Sequence, residues 1–345
     1  MSKDDVKYPI SVGNLHKNDF DIKNYETLFP NMNFSLSSNS QLIYHYTSPN
    51  GLMGILGNQE FFFTDSQFLN DANERKDINN VLADFWMKYK NIYDSKFFDL
   101  LSSISVESYE DVIRKRIIYK NNCLTEINRK YRYFVFSTSC ESDSLNMWKY
   151  YAKNDRYNGY SIGLSAKNLL AGWNDLPRGI NIKDGIVIYD LNEKISIVKK
   201  CVDELFLKWC TYKETDVLTD YIKDAYSYWI YYASLFFKNE CFKDEKEYRF
   251  IAIVRSTYLN DPSNEVLKHN GITYNFRIVD GTITPYLEIP FYNRIKDGEY
   301  AIQSITVSPS FNAEQKINGI QQYMMSLKTS FGGCEINAST IPLRY

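Results

Sequence analysis

The sequence lacks the patterns that identify several large protein classes. Its 6 cysteines contain no CxxC pair, and with only 3 histidines they form no zinc-ligand spacing. No GxGxxG or GxxxxGK[ST] motif is present, which excludes the two common nucleotide-binding loops. No apolar run approaches the roughly 18 residues of a membrane-spanning helix, and the N-terminus lacks the apolar core of a secretory signal. These absences predict a cytoplasmic protein with free thiols, no metal and no membrane partner.

The charge is almost balanced, with 40 Lys and Arg residues against 42 Asp and Glu residues and a formal net charge of −2. This balance argues against a generally basic nucleic-acid-binding protein. A hydrophobic content of 44% with 24% charged residues is typical of a folded globular chain. The 29 Tyr and 21 Phe residues are unusually many, but composition alone does not indicate base stacking.

Hydrophobic periodicity predicts an α+β protein in which residues 1–40 form a polar N-terminal extension and residues 41–345 form a single domain. Helical insertions are predicted at about 74–130 and 192–240. The predicted strands are Gln41–Thr47, Glu60–Thr64, Tyr133–Thr138, Tyr160–Leu164, Ile186–Tyr189, Tyr248–Val254, Ile272–Val279, Thr282–Ile289, Ile302–Val307 and Glu335–Ile341. The pair Asp280-Gly281 predicts a tight hairpin. A short helix is predicted between the Ser48 cap and Gly57.

Two segments carry the chemistry that a ligand site would need. The first, Tyr44–Ser48, places His45 at a strand end beside a helix N-terminus, where side chains and unpaired backbone donors converge. The second, Phe242–Phe250, is predicted to place Glu245, Glu247 and Arg249 along one side of a strand. The alternatives are a packed structural histidine and an exposed salt-bridge ladder.

Two further segments have a structural interpretation that competes with ligand binding. Phe68–Glu74 supplies Asn and Asp side chains that are natural helix caps, with ligand contact by Asn70 as the second option. Met147–Ala152 places Trp148 in a helical stripe that is typical of a core, although an aromatic ring at its edge could stack on a flat ligand.

Five motifs in order resemble an uncharacterised bacterial family of unknown function. They are Tyr44–Ser48, Phe68–Glu74, Met147–Ala152, Glu245–Arg249 and Ser339–Arg344. More distantly, the His-bearing strand, the short helix, the aromatic strand and the doubled glutamate resemble the ADP-ribosyltransferase superfamily. That resemblance implies an ADP-ribosyltransferase-like split β core with two helical insertions.

The superfamily resemblance implies cleavage of the nicotinamide–ribose bond of NAD and transfer of ADP-ribose to a protein or nucleic-acid acceptor. Glu247 would stabilise the oxocarbenium-like transition state, and Glu245 would orient or deprotonate the acceptor. The implied NAD-binding residues are His45, Tyr46, Thr47, Phe62, Asn70, Trp148 and Arg249. Phe62 stands where the superfamily commonly has tyrosine. A bacterial toxin or phage-defence role, with an antitoxin partner, is a further implication.

Three alternatives remain open at the level of sequence. A water acceptor would make the protein an NAD glycohydrolase, and a structural glutamate pair would make it a non-catalytic binding module. A metal-dependent nuclease using Asp71, Glu74 and Glu245 is disfavoured, because the sequence has no recognisable acidic-Lys motif and no basic face. Catalysis as proposed requires His45 and Glu247 to line one cleft.

Overall fold

The computed structural model describes residues 42–69, 77–106, 118–120, 123–125, 131–151, 158–174, 176, 180–211, 216–261, 263, 265–293 and 299–342. The predicted extension of residues 1–40 lies outside these ranges. The strands are β1 Leu42–Thr47, β2 Glu60–Asp65, β3 Ile118–Lys120, β4 Cys123–Thr125, β5 Tyr131–Ser139, β6 Tyr160–Ser165, β7 Ile180–Ile186, β8 Glu247–Arg255, β9 Thr273–Val279, β10 Thr282–Pro290, β11 Ile302–Val307 and β12 Glu335–Ala338.

The helices fall between these strands, and those at Ala166–Trp173, Ser256–Leu259 and Glu265–His269 are not among the predicted ones. The helices are α1 Pro49–Asn58, α2 Asp77–Tyr89, α3 Ser95–Ser102, α4 Leu145–Tyr151, α5 Ala166–Trp173, α6 Leu191–Thr211, α7 Asp216–Ser234, α8 Ser256–Leu259, α9 Glu265–His269 and α10 Ala313–Ser326. Ser48 caps α1 by accepting a hydrogen bond from the Gly51 N–H, as its position before proline predicts.

The fold is a mixed α+β architecture around one ten-stranded, mostly antiparallel sheet. Eight strands follow the order β12-β11-β6-β1-β5-β2-β10-β9, while β8 pairs with both β5 and β7. The pair β11 and β12 is parallel. Asp280 and Gly281 both have positive φ, and they join β9 to β10 in the predicted tight hairpin.

Strand β5 is the branch point of the sheet. One edge pairs with β8 from Tyr131 to Ser139. The other edge is shared, because Ser139 pairs with β1 and Phe134–Val135 pairs with β2. Residues 136–138 take part in neither of these two ladders. Strands β1 and β2 therefore diverge from a common neighbour and leave a split in the sheet.

Two hydrophobic clusters cover the two faces of the sheet. We call the side of Val135 and Ile251 face A, and helices α2, α3, α6 and α7 pack there. We call the side of Phe136 and Phe250 face B, where α1, α5 and α10 pack. The aromatic run of α7 lies in the face A core, as the sequence predicts for a buried helix. The helices of both predicted insertions thus contribute to a single cluster.

Three predicted elements differ from the structure. The helical pattern expected up to about residue 129 gives way to the β3–β4 hairpin, while Val112–Ile117 lies outside the described residues. The strand predicted at Ile186–Tyr189 instead spans Ile180–Ile186. The Val187 N–H still bonds to the Glu247 carbonyl of β8, but the Ile188 N–H turns away to the Phe236 carbonyl. Helix α1 passes through Gly57, and Gln59 takes the left-handed cap position instead.

Candidate functional site

Motif segments that are distant in sequence meet at the Ser139 end of β5. Tyr44 of β1, Ser139 and Glu247 of β8 form one row across three adjacent strands. The Ser139 hydroxyl donates a hydrogen bond to the carbonyl of Glu245 at 2.7 Å. The Tyr44–Ser48 and Glu245–Arg249 motifs are therefore neighbours in space.

The carboxylate of Asp143 joins the remaining described motifs to this end of the sheet. It accepts hydrogen bonds from the indole Nε1 of Trp148 at 2.7 Å, from the Ser339 hydroxyl at 2.7 Å and from the Thr340 N–H at 2.8 Å. Trp148 in turn packs edge-on against Tyr46, with ring centroids 4.7 Å apart. Helix α4, strand β1 and the C-terminal segment thus form one structural unit.

A buried ion cluster lies on face A beside this unit. Arg249 donates from Nε to Glu247 Oε1 at 2.7 Å and from Nη2 to Glu247 Oε2 at 2.8 Å. The Lys238 ammonium lies 3.1 Å from Glu247 Oε2 and 2.7 Å from Glu245 Oε2. The cluster contains two carboxylates and two cations, so its formal charges balance.

The electrostatic environment keeps the Glu247 carboxylate ionised. Burial alone would raise its pKa, but the charges of Arg249 and Lys238 and the hydrogen bonds from Arg249 and Ser137 outweigh burial and lower the pKa to about 2. Tyr151 and Tyr189 flank the cluster, and burial together with the glutamate charges raises the pKa of both phenols. The site therefore holds a permanent anion beside neutral hydroxyl groups.

Glu245 does not lie on the strand, contrary to the sequence prediction. It ends a 3-10 helix, Glu240–Glu245, and Lys246 follows with a left-handed φ of 43°. Strand β8 begins only at Glu247, so strand alternation sets the directions of Glu247 and Arg249 but not that of Glu245. The ammonium of Lys238, and not strand alternation, brings the carboxylates of Glu245 and Glu247 together. The ladder is also not an exposed edge, because β8 pairs on both sides and Glu247 is buried.

His45 and Glu247 project from opposite faces of the sheet. Tyr44 shares a row with Glu247, so the next residue along β1 points the other way. The imidazole accordingly contacts Phe136 on face B, with ring centroids 4.8 Å apart. The prediction that His45 and Glu247 line one cleft is wrong, because side chains of adjacent rows alternate faces.

His45 instead occupies the split between β1 and β2. Its Nδ1 lies 3.3 Å from the carbonyl oxygen of Ser137, one of the β5 residues that neither strand pairs with. Phe61 of β2 approaches the ring edge-on at 6.3 Å. Enclosure of the half-buried ring lowers the pKa of His45 to about 4, against an ordinary value of 6.5. A neutral imidazole therefore bridges the diverging strands.

This environment predicts a pH-dependent contribution of His45 to stability. Between about pH 6.5 and pH 4 the unfolded chain binds a proton that the folded imidazole does not, so stability falls as the pH falls through this window. We expect the free energy of unfolding of the wild type, relative to His45→Gln, to drop by about 3 kcal/mol across it. Urea unfolding at several pH values measures this difference, and parallel curves for the two proteins would contradict it.

The other predicted NAD-binding residues have several different environments in the structure. Tyr46 and Trp148 are buried, and their polar atoms bond to protein groups. The Thr47 hydroxyl lies so close to Gly51 that a side chain at that helix position would collide with it. Phe62 is exposed on β2, and Asn70 lies outside the described residues. Of the predicted residues that the structure describes, only Arg249 directly contacts the Glu247 carboxylate.

Sequence reasoning missed Lys238, Tyr151 and Tyr189 as members of the cluster. Lys238 follows the apolar run of α7, and a lysine that directly follows a buried aromatic helix is a signal that could have marked it. Tyr189 accepts a hydrogen bond from the Glu247 N–H at 3.0 Å. This contact depends on the chain leaving β7 at Ile186, which strand periodicity did not predict.

Comparison with known proteins identifies one segment of the chain. Residues 147–250 match the family model described as "Protein of unknown function (DUF2971)". The DUF2971 segment begins in α4, ends in β8, and contains Tyr151, Lys238, Glu247 and Arg249, whereas His45 lies outside it. No curated protein and no solved structure gives a significant match.

No helix in the described part of the chain combines the length and the apolar character that a membrane crossing requires. Within the same residues, no group of three His, Cys, Asp or Glu side chains is placed to hold a metal ion. Asp71 and Glu74, two of the three acids in the nuclease alternative, lie outside the described residues.

A cavity of about 480 Å³ is lined by residues between Gln321 and Ile336, away from the ion cluster.

Proposed function

We propose that this chain cleaves the nicotinamide–ribose bond of NAD at the Glu247 side of the sheet and transfers ADP-ribose to a protein or nucleic-acid acceptor. The observation that carries the proposal is the buried Glu247 carboxylate, held ionised between Arg249 and Lys238. Nicotinamide departs as a neutral ring, so the reaction needs no general acid. It needs a fixed anion beside the oxocarbenium-like ribose, which Glu247 would supply.

The sheet geometry supports the proposed relation to ADP-ribosyltransferases in a general way. Two strands, β1 and β2, diverge from β5, as in the split β core that the resemblance implies. The proposed mechanism departs from the one that the resemblance implies, which required His45 and Glu247 in one cleft. Here His45 holds the split from face B and does not touch NAD. Glu245 would orient the acceptor, since Lys238 bridges its carboxylate to that of Glu247.

Water as acceptor gives an NAD glycohydrolase. A toxin or defence role with an antitoxin partner belongs to the same proposal.

A non-catalytic module is the second candidate, and one observation favours it. Both oxygens of Glu247 already accept hydrogen bonds from protein cations, which is also what a purely structural ion cluster requires. In this case the ion cluster would stabilise the fold of the DUF2971 segment, and a binding partner would contact another part of the surface.

Nicotinamide release from NAD distinguishes the two candidates. The full chain is incubated with adenine-labelled NAD, with and without cell extract, and both free nicotinamide and labelled acceptor are measured. We expect Glu247→Gln to reduce release by about 10²-fold or more, because it removes the transition-state anion. The matched control is Glu240→Gln, an exposed glutamate of the neighbouring 3-10 helix, which should retain wild-type activity.

Circular dichroism at the assay temperature must show that the variants are folded. Unchanged nicotinamide release by folded Glu247→Gln would remove Glu247 from the mechanism. A folded wild type that consumes no NAD with any extract would reject the enzyme proposal and leave the binding module.

A further inference from the structure

The outer strands β2, β10 and β9 carry an unusual set of side chains on face A. Thr64, Tyr286 and Asn275 form one row across these strands, and Phe62 and Glu288 belong to the next row. Thr64 also pairs with Val135 of β5, so this surface is on the same face of the sheet as Glu247. Phe62 is 42% exposed, although Phe61 and Phe63 on either side of it are buried.

Arg277 lies against this surface, and no carboxylate of the described residues forms an ion pair with it. Its Nη2 donates to the Thr64 hydroxyl at 2.8 Å, and its guanidinium lies 5.1 Å from the ring centre of Tyr286 and 5.7 Å from that of Phe62. Its Nε is buried and has no hydrogen-bond partner within the part of the chain that the structure describes. Because Nε is enclosed, an oxygen ligand would approach the outer N–H groups of the half-buried guanidinium, whose positive charge favours an anion.

Acceptor groups lie on the other side of the same surface. Glu288 accepts hydrogen bonds from the Tyr286 hydroxyl at 3.0 Å and from Asn275 Nδ2 at 3.4 Å. Glu60 is close enough that the charge of Glu288 adds to burial in raising the pKa of Glu60. The surface therefore offers a cation at Arg277, an exposed ring at Phe62 and a carboxylate at Glu288. A ligand that matches it carries an anion, a flat ring and hydroxyl donors.

We propose that this surface binds a nucleoside phosphate. The phosphate would accept hydrogen bonds from Arg277 and Thr64, the base would stack on Phe62, and a ribose hydroxyl would donate to Glu288. Identifying the ligand as the adenosine diphosphate half of NAD rests on the proposed function. Val135 and Ser139 are four residues apart on β5, and β8 and β2 lie on opposite sides of β5. Thr64 and Glu247 are therefore about 13 Å apart along the strands and about 10 Å apart across them, a span of about 16 Å.

Isothermal titration calorimetry of the full chain with ADP, adenosine and inorganic pyrophosphate tests the subsite. We expect ADP to bind at least tenfold more tightly than either fragment. Arg277→Gln should weaken ADP binding by about 10- to 100-fold, since a charge-assisted contact is lost, and Arg277→Lys should recover part of it. Phe62→Ala should also weaken binding. The matched control is Phe276→Ala, which removes a 54% exposed ring from the opposite face of β9 and should not change affinity.

The outcomes separate this subsite from the proposed enzyme. Equal ADP affinity in wild type and folded Arg277→Gln, or no ADP binding by the wild type, overturns the subsite. If Arg277-dependent ADP binding is found but NAD is never cleaved, the subsite stands and the enzyme proposal fails. If NAD is cleaved with an unchanged KM in Arg277→Gln, the enzyme proposal stands and the subsite fails.

Discussion

Replacing Glu247 by glutamine is expected to lower the free energy of unfolding by about 3–5 kcal/mol. The change leaves the buried guanidinium of Arg249 and the ammonium of Lys238 without their shared anion. The exposed salt-bridge ladder that the sequence left open would tolerate this change, whereas a buried cluster does not.

Urea or thermal unfolding of the variants measures this effect, with Glu245→Gln for comparison. Glu245 is bridged by Lys238 and is more exposed, so its replacement should cost about 1–3 kcal/mol. Losses of the same size in the two variants would show that Glu247 has no special place in the cluster.

The same ion cluster predicts that the folded state loses stability at acid pH. The folded pKa of Glu247 is about 2 against an ordinary 4.5, so its stabilising contribution is present above pH 4.5 and is lost as the pH falls toward 2. The Glu247→Gln variant should lack this component of the pH dependence.

Replacing Trp148 by alanine is expected to cost about 3–5 kcal/mol, because the indole is fully buried and its removal leaves a large cavity. The change also deprives the Asp143 carboxylate of a hydrogen bond that helps it hold the C-terminal segment. Thermal unfolding measures the loss. Tyr150→Ala is the matched control, since Tyr150 lies on the same helix but is 57% exposed, and we expect a change within about 0.5 kcal/mol.

A Trp148→Phe variant separates packing from hydrogen bonding. It keeps most of the apolar volume and loses only the donor to Asp143, so we expect a smaller loss of about 1–2 kcal/mol. If Trp148→Ala unfolds at the wild-type temperature, then Trp148 is not a core residue, and its prediction as a ligand-stacking ring regains support.

The sequence located the strands that carry the motifs, but it determined neither how those strands pair nor the roles of the residues on them. Period-two alternation located β1, β5 and β8, and register then placed Tyr44, Ser139 and Glu247 in one row. It could not assign the roles of His45 and Trp148, because a ligand-binding ring and a packed ring have the same residue type and the same spacing. Burial separates the two interpretations, and burial depends on contacts made across the whole chain.

The sequence by itself determined the mixed α+β class, the order of most strands and helices, the Asp280-Gly281 hairpin and the buried character of α7. These features follow from local periodicity and turn chemistry, which act over a few residues. The tertiary structure alone decided that β5 is shared by β1 and β2, and that His45 and Glu247 face opposite ways. It also decided that Lys238 joins the two glutamates, because strand pairing and ion pairing between distant residues leave no local mark in the sequence.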